Sequence, residues 1–275
     1  MKRTATIILN RNLPQETNAL VEHLKKYDGD HTDIFVVEAG SDKDKLSKYC
    51  TWHVTTTEVV KHGLRYSRGM NYGLLKLYKA GNWDRYDSFF LITNDTKFPK
   101  NQNTIKTLQK IQIEYPKVGI LSPCSKRWGE KDLTGPDSLK YFWFIHNNAY
   151  FLRKELVEQL INIDDPSYMN FLFDGDNFRG YLSESEIIAK TYANDWAAAI
   201  TTKIYAEEDE SYLLDRSKLI KTESYEENLQ LYVEEGLKWV KKKYGFNSRW
   251  QMMQYSKLFY EKFFEYYPKE KINKI

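Results

Sequence analysis

The sequence predicts an α/β fold with a mostly parallel central sheet flanked by helices, followed by a C-terminal helical extension. In the first half of the chain, apolar segments typical of buried strands alternate with amphipathic segments typical of helices. After residue 211 the composition changes to long, charged and aromatic helical patterns. We therefore expect one domain at residues 1–211 and a helical extension at residues 212–275.

Short apolar runs that end in polar turn residues predict the strands. The predicted strands are residues 4–9, 33–38, 52–55, 89–92, 118–121, 141–145, 149–152 and 197–205. Helical spacing of apolar residues predicts the helices. The predicted helices begin near Asn12 and continue with residues 67–79, 101–114, 153–161, 183–194, 226–244 and 248–267. The polar, glycine-containing segment 171–181 is predicted to be a loop.

Composition and charge exclude several classes of protein. The chain has 41 Lys and Arg against 38 Asp and Glu, a net charge of +3, so it does not indicate a nucleic-acid partner. Two cysteines are too few for a disulfide framework, which predicts a reducing compartment. The first residues lack the apolar core of a secretion signal, and no run is long enough to span a membrane. We expect a cytoplasmic protein.

The strongest local signal is the apolar run 89–92, which ends in Thr93-Asn94-Asp95. Parallel sheets bind ligands at the carboxyl ends of their strands, so Asp95 is expected at a ligand site. A carboxylate there can hold a hard cation against a phosphate. The alternative is a simple strand-ending turn, in which Asn and Asp are common.

A second candidate segment is Glu38-Ala39-Gly40-Ser41-Asp42 at the end of the second strand. Glu38 can accept hydrogen bonds from a base N–H or a ribose hydroxyl, and Gly40 permits close approach of the backbone. The alternative is an ordinary turn in which Ser41 or Asp42 caps a helix.

Two further segments carry charged residues at predicted helix starts. Arg68, near the start of the helix with Gly69 and Gly73, is suited to face a diphosphate, or else is simply solvated. Glu184 at the start of the helix 183–194 is suited to act as a general base, whereas acidic residues also occur there for dipole reasons alone. The acidic run 207–210 is either a solvated turn or part of a metal site.

Taken in order, these segments resemble the family 2 glycosyltransferases with a GT-A fold over residues 4–211. The matching segments are Thr6-Ile7-Ile8-Leu9-Asn10-Arg11, Glu38-Ala39-Gly40-Ser41-Asp42, Tyr66-Ser67-Arg68-Gly69-Met70-Asn71-Tyr72-Gly73, Ile92-Thr93-Asn94-Asp95 and Ser183-Glu184-Ser185-Glu186-Ile187. The chain departs from the family pattern where Thr93 and Asn94 replace acidic residues of the metal motif, and where acidic residues near Glu207 replace a metal-binding His.

The resemblance implies an inverting glycosyltransferase that uses a nucleotide-diphosphate sugar and a divalent cation, Mn²⁺ or Mg²⁺. It implies that Glu184 is the general base and that Asp95 and Glu207 bind the metal. It also implies the residues that bind the nucleotide sugar: Asn10, Arg11, Glu38, Gly40, Ser41, Arg68, Asn71, Asn94 and Asp95.

The partners implied by the resemblance are a glycan or a lipid-linked acceptor, in surface polysaccharide synthesis. The aromatic and basic helices of the extension are suited to a peripheral membrane contact or to a homodimer, or they simply pack on the domain. The competing function is a non-catalytic sugar-nucleotide binder or scaffold within an assembly complex.

Overall fold

The computed structural model describes residues 3–146, 148–208 and 219–275. The strands of its main sheet are β1 (Arg3–Asn10), β2 (Thr32–Ala39), β3 (Cys50–Val54), β4 (Tyr86–Thr93), β6 (Val118–Cys124), β7 (Leu139–Tyr141), β8 (Ala149–Arg153) and β9 (Ala197–Tyr205). A second, two-stranded sheet consists of β5 (Thr96–Lys97) and β10 (Glu207–Glu208).

Helices cover both faces of the main sheet and form the C-terminal part of the chain. They are α1 (Pro14–Asp28), α2 (Thr57–His62), α3 (Arg65–Lys79), α4 (Thr104–Glu114), α5 (Glu130–Thr134), α6 (Lys154–Leu160), α7 (Ser183–Ala193), α8 (Tyr225–Tyr244) and α9 (Arg249–Tyr266). Short 3₁₀ turns lie at Lys43–Lys45, Trp83–Arg85 and Pro268–Asn273.

The main sheet has eight strands in the order β3-β2-β1-β4-β8-β6-β9-β7. Strands β3, β2, β1 and β4 pair in parallel, as do β6 and β9, whereas β8 and β7 run antiparallel to their neighbours. The predicted α/β class with a mostly parallel sheet is therefore confirmed. The carboxyl ends of β1, β2 and β4 meet at one edge, where ligands bind in sheets of this kind.

Helix α3 packs closely on the parallel half of the sheet because it presents glycines to it. A Cβ atom on Gly69 would lie 2.3 Å from a methyl group of Leu9, and one on Gly73 would lie 2.7 Å from Ile7. A larger residue at either position would push the helix away from β1. The two glycines thus fix the distance between α3 and the strand ends.

The elements differ from the sequence prediction at several places, and the short elements α5, β5 and β10 were not predicted. The strand predicted at 141–145 is wrong beyond Tyr141, because β7 is an edge strand and the chain leaves the sheet after Phe142 donates to the Ala198 carbonyl. The six-residue helix α2 was not predicted, since it is too short to show a periodic pattern. It packs Val59 against Gly40, where a Cβ would lie 2.1 Å from the Val59 carbonyl oxygen.

The C-terminal helices belong to the core of the protein. Tyr260, Phe263 and Phe264 of α9 are at most 2% exposed and lie in the same hydrophobic cluster as the central sheet. A smaller cluster joins α8 and α9 to Leu182 through Trp239 and Met252. None of the described helices combines the length and the apolar character needed to span a bilayer.

We expect the Phe264→Ala variant to lower the free energy of unfolding by about 3–5 kcal/mol, because it removes a buried ring and leaves a cavity. Leu258→Ala on the same helix is the control: Leu258 is 53% exposed, so its loss should change stability by less than about 0.5 kcal/mol. Denaturant unfolding followed by circular dichroism measures both. Equal midpoints for the two variants would contradict a core role for α9.

Candidate functional site

The buried carboxylate of Glu38 organises the edge of the sheet where β1, β2 and β4 end. Glu38 is 0% exposed, and its oxygens accept hydrogen bonds from Asn10 Nδ2 at 2.8 Å, Ser41 Oγ at 2.6 Å and the Ser47 backbone N–H at 2.8 Å. A buried carboxylate needs such donors to offset the loss of water. Glu38 therefore fixes the loops around the site, and its carboxylate is not exposed toward a ligand.

The same network continues into β4 through asparagine side chains. Asn10 Oδ1 accepts from Asn94 Nδ2 at 2.9 Å and from the Leu13 backbone N–H at 3.2 Å. Ser41 Oγ also accepts from the Asn12 backbone N–H at 3.1 Å. The structure thus brings together Asn10, Glu38, Ser41 and Asn94, as the sequence predicted.

A cavity of about 200 Å³ lies over these strand ends. Its floor comes from β1 and β4, one wall from the α2–α3 junction, and its cover from residues 220–222. The lining residues are Leu9, Asn10, Arg11, Leu13, Ala39, His62, Gly63, Leu64, Arg65, Tyr66, Thr93, Asn94, Ile220, Lys221 and Thr222.

Two arginines give this cavity a positive character. Arg11 donates to the carbonyls of Val60 and Lys61, both at 3.1 Å, and burial and the nearby Arg65 lower the pKa of Arg11 to about 10. Burial and the charge of Arg179 lower the pKa of Arg65. Within the described part of the chain, the Nε atoms of Arg11 and Arg65 have no hydrogen-bond partner. An anion in the cavity would raise the lowered pKa of both arginines and could accept hydrogen bonds from the two Nε atoms.

Arg65 was not among the predicted site residues. It begins α3 in the left-handed region, with φ at 55°, and donates to Thr222 Oγ1 at 3.1 Å and to Glu223 at 3.0 Å. Its position beside a helix start was visible in the sequence, but the turn that directs it into the cavity was not.

Arg68 and Asn71, which were predicted to bind the nucleotide sugar, contact the loop that follows α6 and do not line the cavity. Arg68 donates to the Gly175 carbonyl at 2.8 Å and stacks on the Phe178 ring, 4.6 Å from its centroid. The amide of Asn71 makes four hydrogen bonds to the backbone of residues 168–173, at 2.8–3.0 Å. These contacts hold the predicted loop 171–181 against α3, and neither side chain lines the cavity.

The metal candidates lie on neighbouring segments. Asp95 is 5% exposed in the turn between β4 and β5, and β5 pairs with β10 so that Glu207 lies opposite Lys97. Glu207 accepts from Ser125 Oγ at 2.8 Å and from the Lys126 backbone N–H at 2.9 Å. Among the described residues, no three His, Cys, Asp or Glu side chains group as a metal site. Asp95 fits a cation that takes its other ligands from phosphate oxygens.

The two acidic residues at the start of α7 have different surroundings. Glu186 is 3% exposed, accepts from Tyr244 Oη at 2.6 Å and pairs with Lys243 at 2.7 Å. Glu184 is partly exposed, and no side chain of the described residues donates to it. Burial raises the pKa of Glu184 to about 7. Burial, and to a smaller extent the charge of Glu184, raises the pKa of the Tyr66 and Tyr150 phenols.

The start of α7 lies near the start of α3, since a Cβ on Gly180 would lie 3.4 Å from Ser183 Oγ and 3.8 Å from Ser67 Oγ. Tyr66, which precedes Ser67, lines the cavity.

The fold is shared with several solved glycosyltransferase structures. The mannosyltransferase PcManGT from Pyrobaculum calidifontis, in complex with GDP-Man and Mn²⁺, has a TM-score of 0.50 and 13% identity over 73% of this chain and 54% of its own. GalNAc-T7 with UDP, GalNAc and Mn²⁺ has a TM-score of 0.55 and 8% identity over 96% of this chain and 56% of its own. S. aureus TarS (residues 1–349) has a TM-score of 0.50 and 12% identity over 88% of this chain and 72% of its own.

These likenesses define the class of fold. The chain has the GT-A fold, as the sequence predicted, with a cavity at the carboxyl edge of the sheet. The chain spans little more than half the length of the mannosyltransferase and of GalNAc-T7. Neither a protein-family model nor a curated protein sequence matches it.

We expect Glu184→Gln to raise the melting temperature at pH 8 by roughly 2–6 °C. The pKa of Glu184 is about 7 in the folded protein against an ordinary value of 4.5, so its contribution to stability is fully present below pH 4.5 and is lost as the pH rises to about 7. The gain of the variant should therefore nearly vanish at pH 4.5.

The matched control is Glu186→Gln, two residues further along α7. It removes the pairing with Lys243 and weakens the hydrogen bond from Tyr244, so it should lower the melting temperature at pH 8. Differential scanning calorimetry of both variants at the two pH values measures this. A Glu184→Gln variant with the same melting temperature as the wild type at pH 8 would contradict a desolvated carboxyl.

Proposed function

We propose that this protein is an inverting glycosyltransferase that moves a sugar from a nucleotide-diphosphate donor to a hydroxyl of a glycan or lipid-linked acceptor. The observation that carries the proposal is the position of Glu184 at the start of α7, near the start of α3, where Tyr66 and Arg65 line the cavity of a GT-A fold. Burial raises the pKa of this carboxyl to about 7. A carboxylate with that pKa is suited to take a proton near neutral pH.

The donor would lie in the cavity at the carboxyl edge of the sheet. Asn10, Ser41 and Asn94, held in position by the buried Glu38, would form the nucleoside side of the site, where Gly40 leaves room for the backbone turn. Arg11 and Arg65 would face the diphosphate, because both line the cavity and the Nε of each has no hydrogen-bond partner among the described residues.

A divalent cation, Mn²⁺ or Mg²⁺, would be held by Asp95 together with the diphosphate oxygens. When bound, such a cation stabilises the negative charge that develops on the nucleoside diphosphate as it leaves. The contacts of Glu207 to Ser125 and Lys126 favour a structural role for that residue over metal binding.

Glu184 would deprotonate the acceptor hydroxyl on the side opposite the leaving group. Displacement in line then inverts the anomeric carbon. Glu186, two residues further on, binds Tyr244 and Lys243 of α8 and so holds the C-terminal helices. Glu184 makes no such contact among the described residues and would act as the base.

The biological setting that we propose is surface polysaccharide synthesis on the cytoplasmic side of a membrane. The exposed side chains of Trp250 and Leu258 on α9, with Arg249 beside Trp250, would supply a peripheral membrane contact or a homodimer surface.

A panel of nucleotide sugars with Mn²⁺, read by thermal shift, identifies the donor, since a ligand stabilises the folded protein by mass action. With that donor, we expect wild-type transfer or slow hydrolysis to rise about tenfold per pH unit below pH 7 and to level off above it. Glu184→Gln should reduce the rate by about 100-fold or more and remove this pH dependence. A donor that binds but is turned over by neither form would favour the non-catalytic scaffold.

Arg65→Ala and Arg68→Ala form a second matched pair. We expect Arg65→Ala to weaken nucleoside diphosphate binding by about 10-fold or more, because a charged hydrogen bond to phosphate is lost. Arg68→Ala should leave that affinity within about twofold, since Arg68 binds Gly175 and Phe178. Isothermal titration calorimetry decides, and the opposite ranking would return the phosphate role to Arg68.

A further inference from the structure

Asn148 has a buried side-chain amide that forms no hydrogen bond within the described part of the chain. The residue is 3% exposed, and within the described part of the chain neither its Nδ2 nor its Oδ1 has a hydrogen-bond partner. An asparagine amide has two donor hydrogens and an acceptor oxygen, and burying such groups without partners is costly. Groups of this kind in a folded protein call for an explanation outside simple packing.

The backbone of Asn148, in contrast, is firmly held. Its carbonyl oxygen accepts from the Thr93 backbone N–H at 3.1 Å and from Thr96 Oγ1 at 3.3 Å. The position of the residue is therefore fixed by the turn that contains Asp95, without any contribution from the side chain. Asn71 is also buried, but its Nδ2 donates two hydrogen bonds and its Oδ1 accepts two from the backbone of residues 168–173.

The register of the sheet locates Asn148. Residues directly opposite each other on paired strands project to the same face. Ile7, Leu91 and Tyr150 form one such row across β1, β4 and β8, on the face covered by α3, where Gly73 contacts Ile7. Two residues further toward the carboxyl edge, Leu9 pairs with Thr93, and Thr93 bonds to Asn148.

The row at the carboxyl edge therefore begins at the cavity and continues to Asn148. Leu9 and Thr93 line the cavity, and Asn148 is the next residue along this row. Tyr150, two residues further along the chain, lies opposite Leu91 on the face that α3 covers. Asn148 is therefore the neighbour of the cavity-lining residue Thr93 on this face, next to the space where a donor would lie.

A further unpartnered polar atom belongs to a residue of the cavity wall. Tyr66 lines the cavity, and its Oη is buried with no hydrogen-bond partner among the described residues. An apolar lining would need none of these polar atoms, whereas a sugar presents hydroxyls that both donate and accept.

We propose that the Asn148 amide binds two neighbouring hydroxyls of the donor sugar, donating to one and accepting from the other, and so determines sugar specificity. The inference rests on the proposed transferase function. It assigns the donor to the class of sugars with a free vicinal diol on the side that faces β8. Sugars substituted or deoxygenated at those positions leave the amide unpaired and are rejected.

The first test is stability, which needs no substrate. Asn148→Leu keeps the approximate size of the side chain and removes unpaired polar atoms, so its melting temperature should equal or exceed that of the wild type. Asn71→Leu is the matched control, and it should lower the melting temperature because four hydrogen bonds are lost. A comparable loss in Asn148→Leu would show that the amide serves the fold, which would overturn the proposal.

The second test uses the donor found by thermal shift. Asn148→Leu and Asn148→Asp should leave the affinity for the nucleoside diphosphate unchanged and lower kcat/KM for the nucleotide sugar by about 10- to 100-fold. With a monodeoxy donor that lacks one of the two hydroxyls, wild type and Asn148→Leu should differ much less. Equal kcat/KM for wild type and variants on the intact donor would overturn the proposal.

The two failures can be told apart. If wild type binds nucleotide sugars no better than the matching nucleoside diphosphates and turns none over, the transferase function fails and the assignment of Asn148 fails with it. If wild type turns the donor over and Asn148→Leu does so equally well, only the assignment of Asn148 fails.

Discussion

Burial of the Glu38 charge is the constraint on which the arrangement of the site depends. An ionised carboxylate removed from water is tolerated only when donors surround it, and the three donors come from separate segments: Asn10 from the end of β1, and Ser41 and Ser47 from the connection between β2 and β3. Because Asn10 also accepts from Asn94, the end of β4 is tied to the same charge. The floor of the cavity is thus held by one hydrogen-bonded network and tolerates little independent movement of its parts.

The fold and part of the site follow from local patterns in the sequence. Apolar runs identify buried strands, and the rule that ligands bind at their carboxyl ends brings Asn10, Glu38 and Asn94 together without knowledge of the structure. What the pattern lacks is side-chain direction. Glu38 was predicted to contact the nucleoside, yet its carboxylate points inward. Two of its hydrogen-bond donors, Ser41 and Ser47, lie in the loop after β2, and the strand pattern does not predict where that loop runs.

The two arginines of α3 show the same limit more sharply. Arg65 and Arg68 are three residues apart, so they lie on nearly the same side of the helix but about 4.5 Å apart along its axis. That rise separates a side chain in the cavity from one against Gly175 and Phe178. Asn148 could not be predicted at all, because an amide without partners is visible only once every neighbouring donor and acceptor has been located.

Glu223 connects the cavity with the C-terminal helices. Its carboxylate binds Arg65 at 3.0 Å and Arg179 at 2.6 Å, and Arg179 also binds Glu235 of α8. An anion that pairs with Arg65 would share its guanidinium group with Glu223, which accepts from Nη2 and leaves Nε without a partner among the described residues. By thermodynamic reciprocity, if the anion weakens the Glu223–Arg65 pair, that pair weakens anion binding by the same factor. The occupancy of the cavity and the seating of the C-terminal helices would then be coupled equilibria.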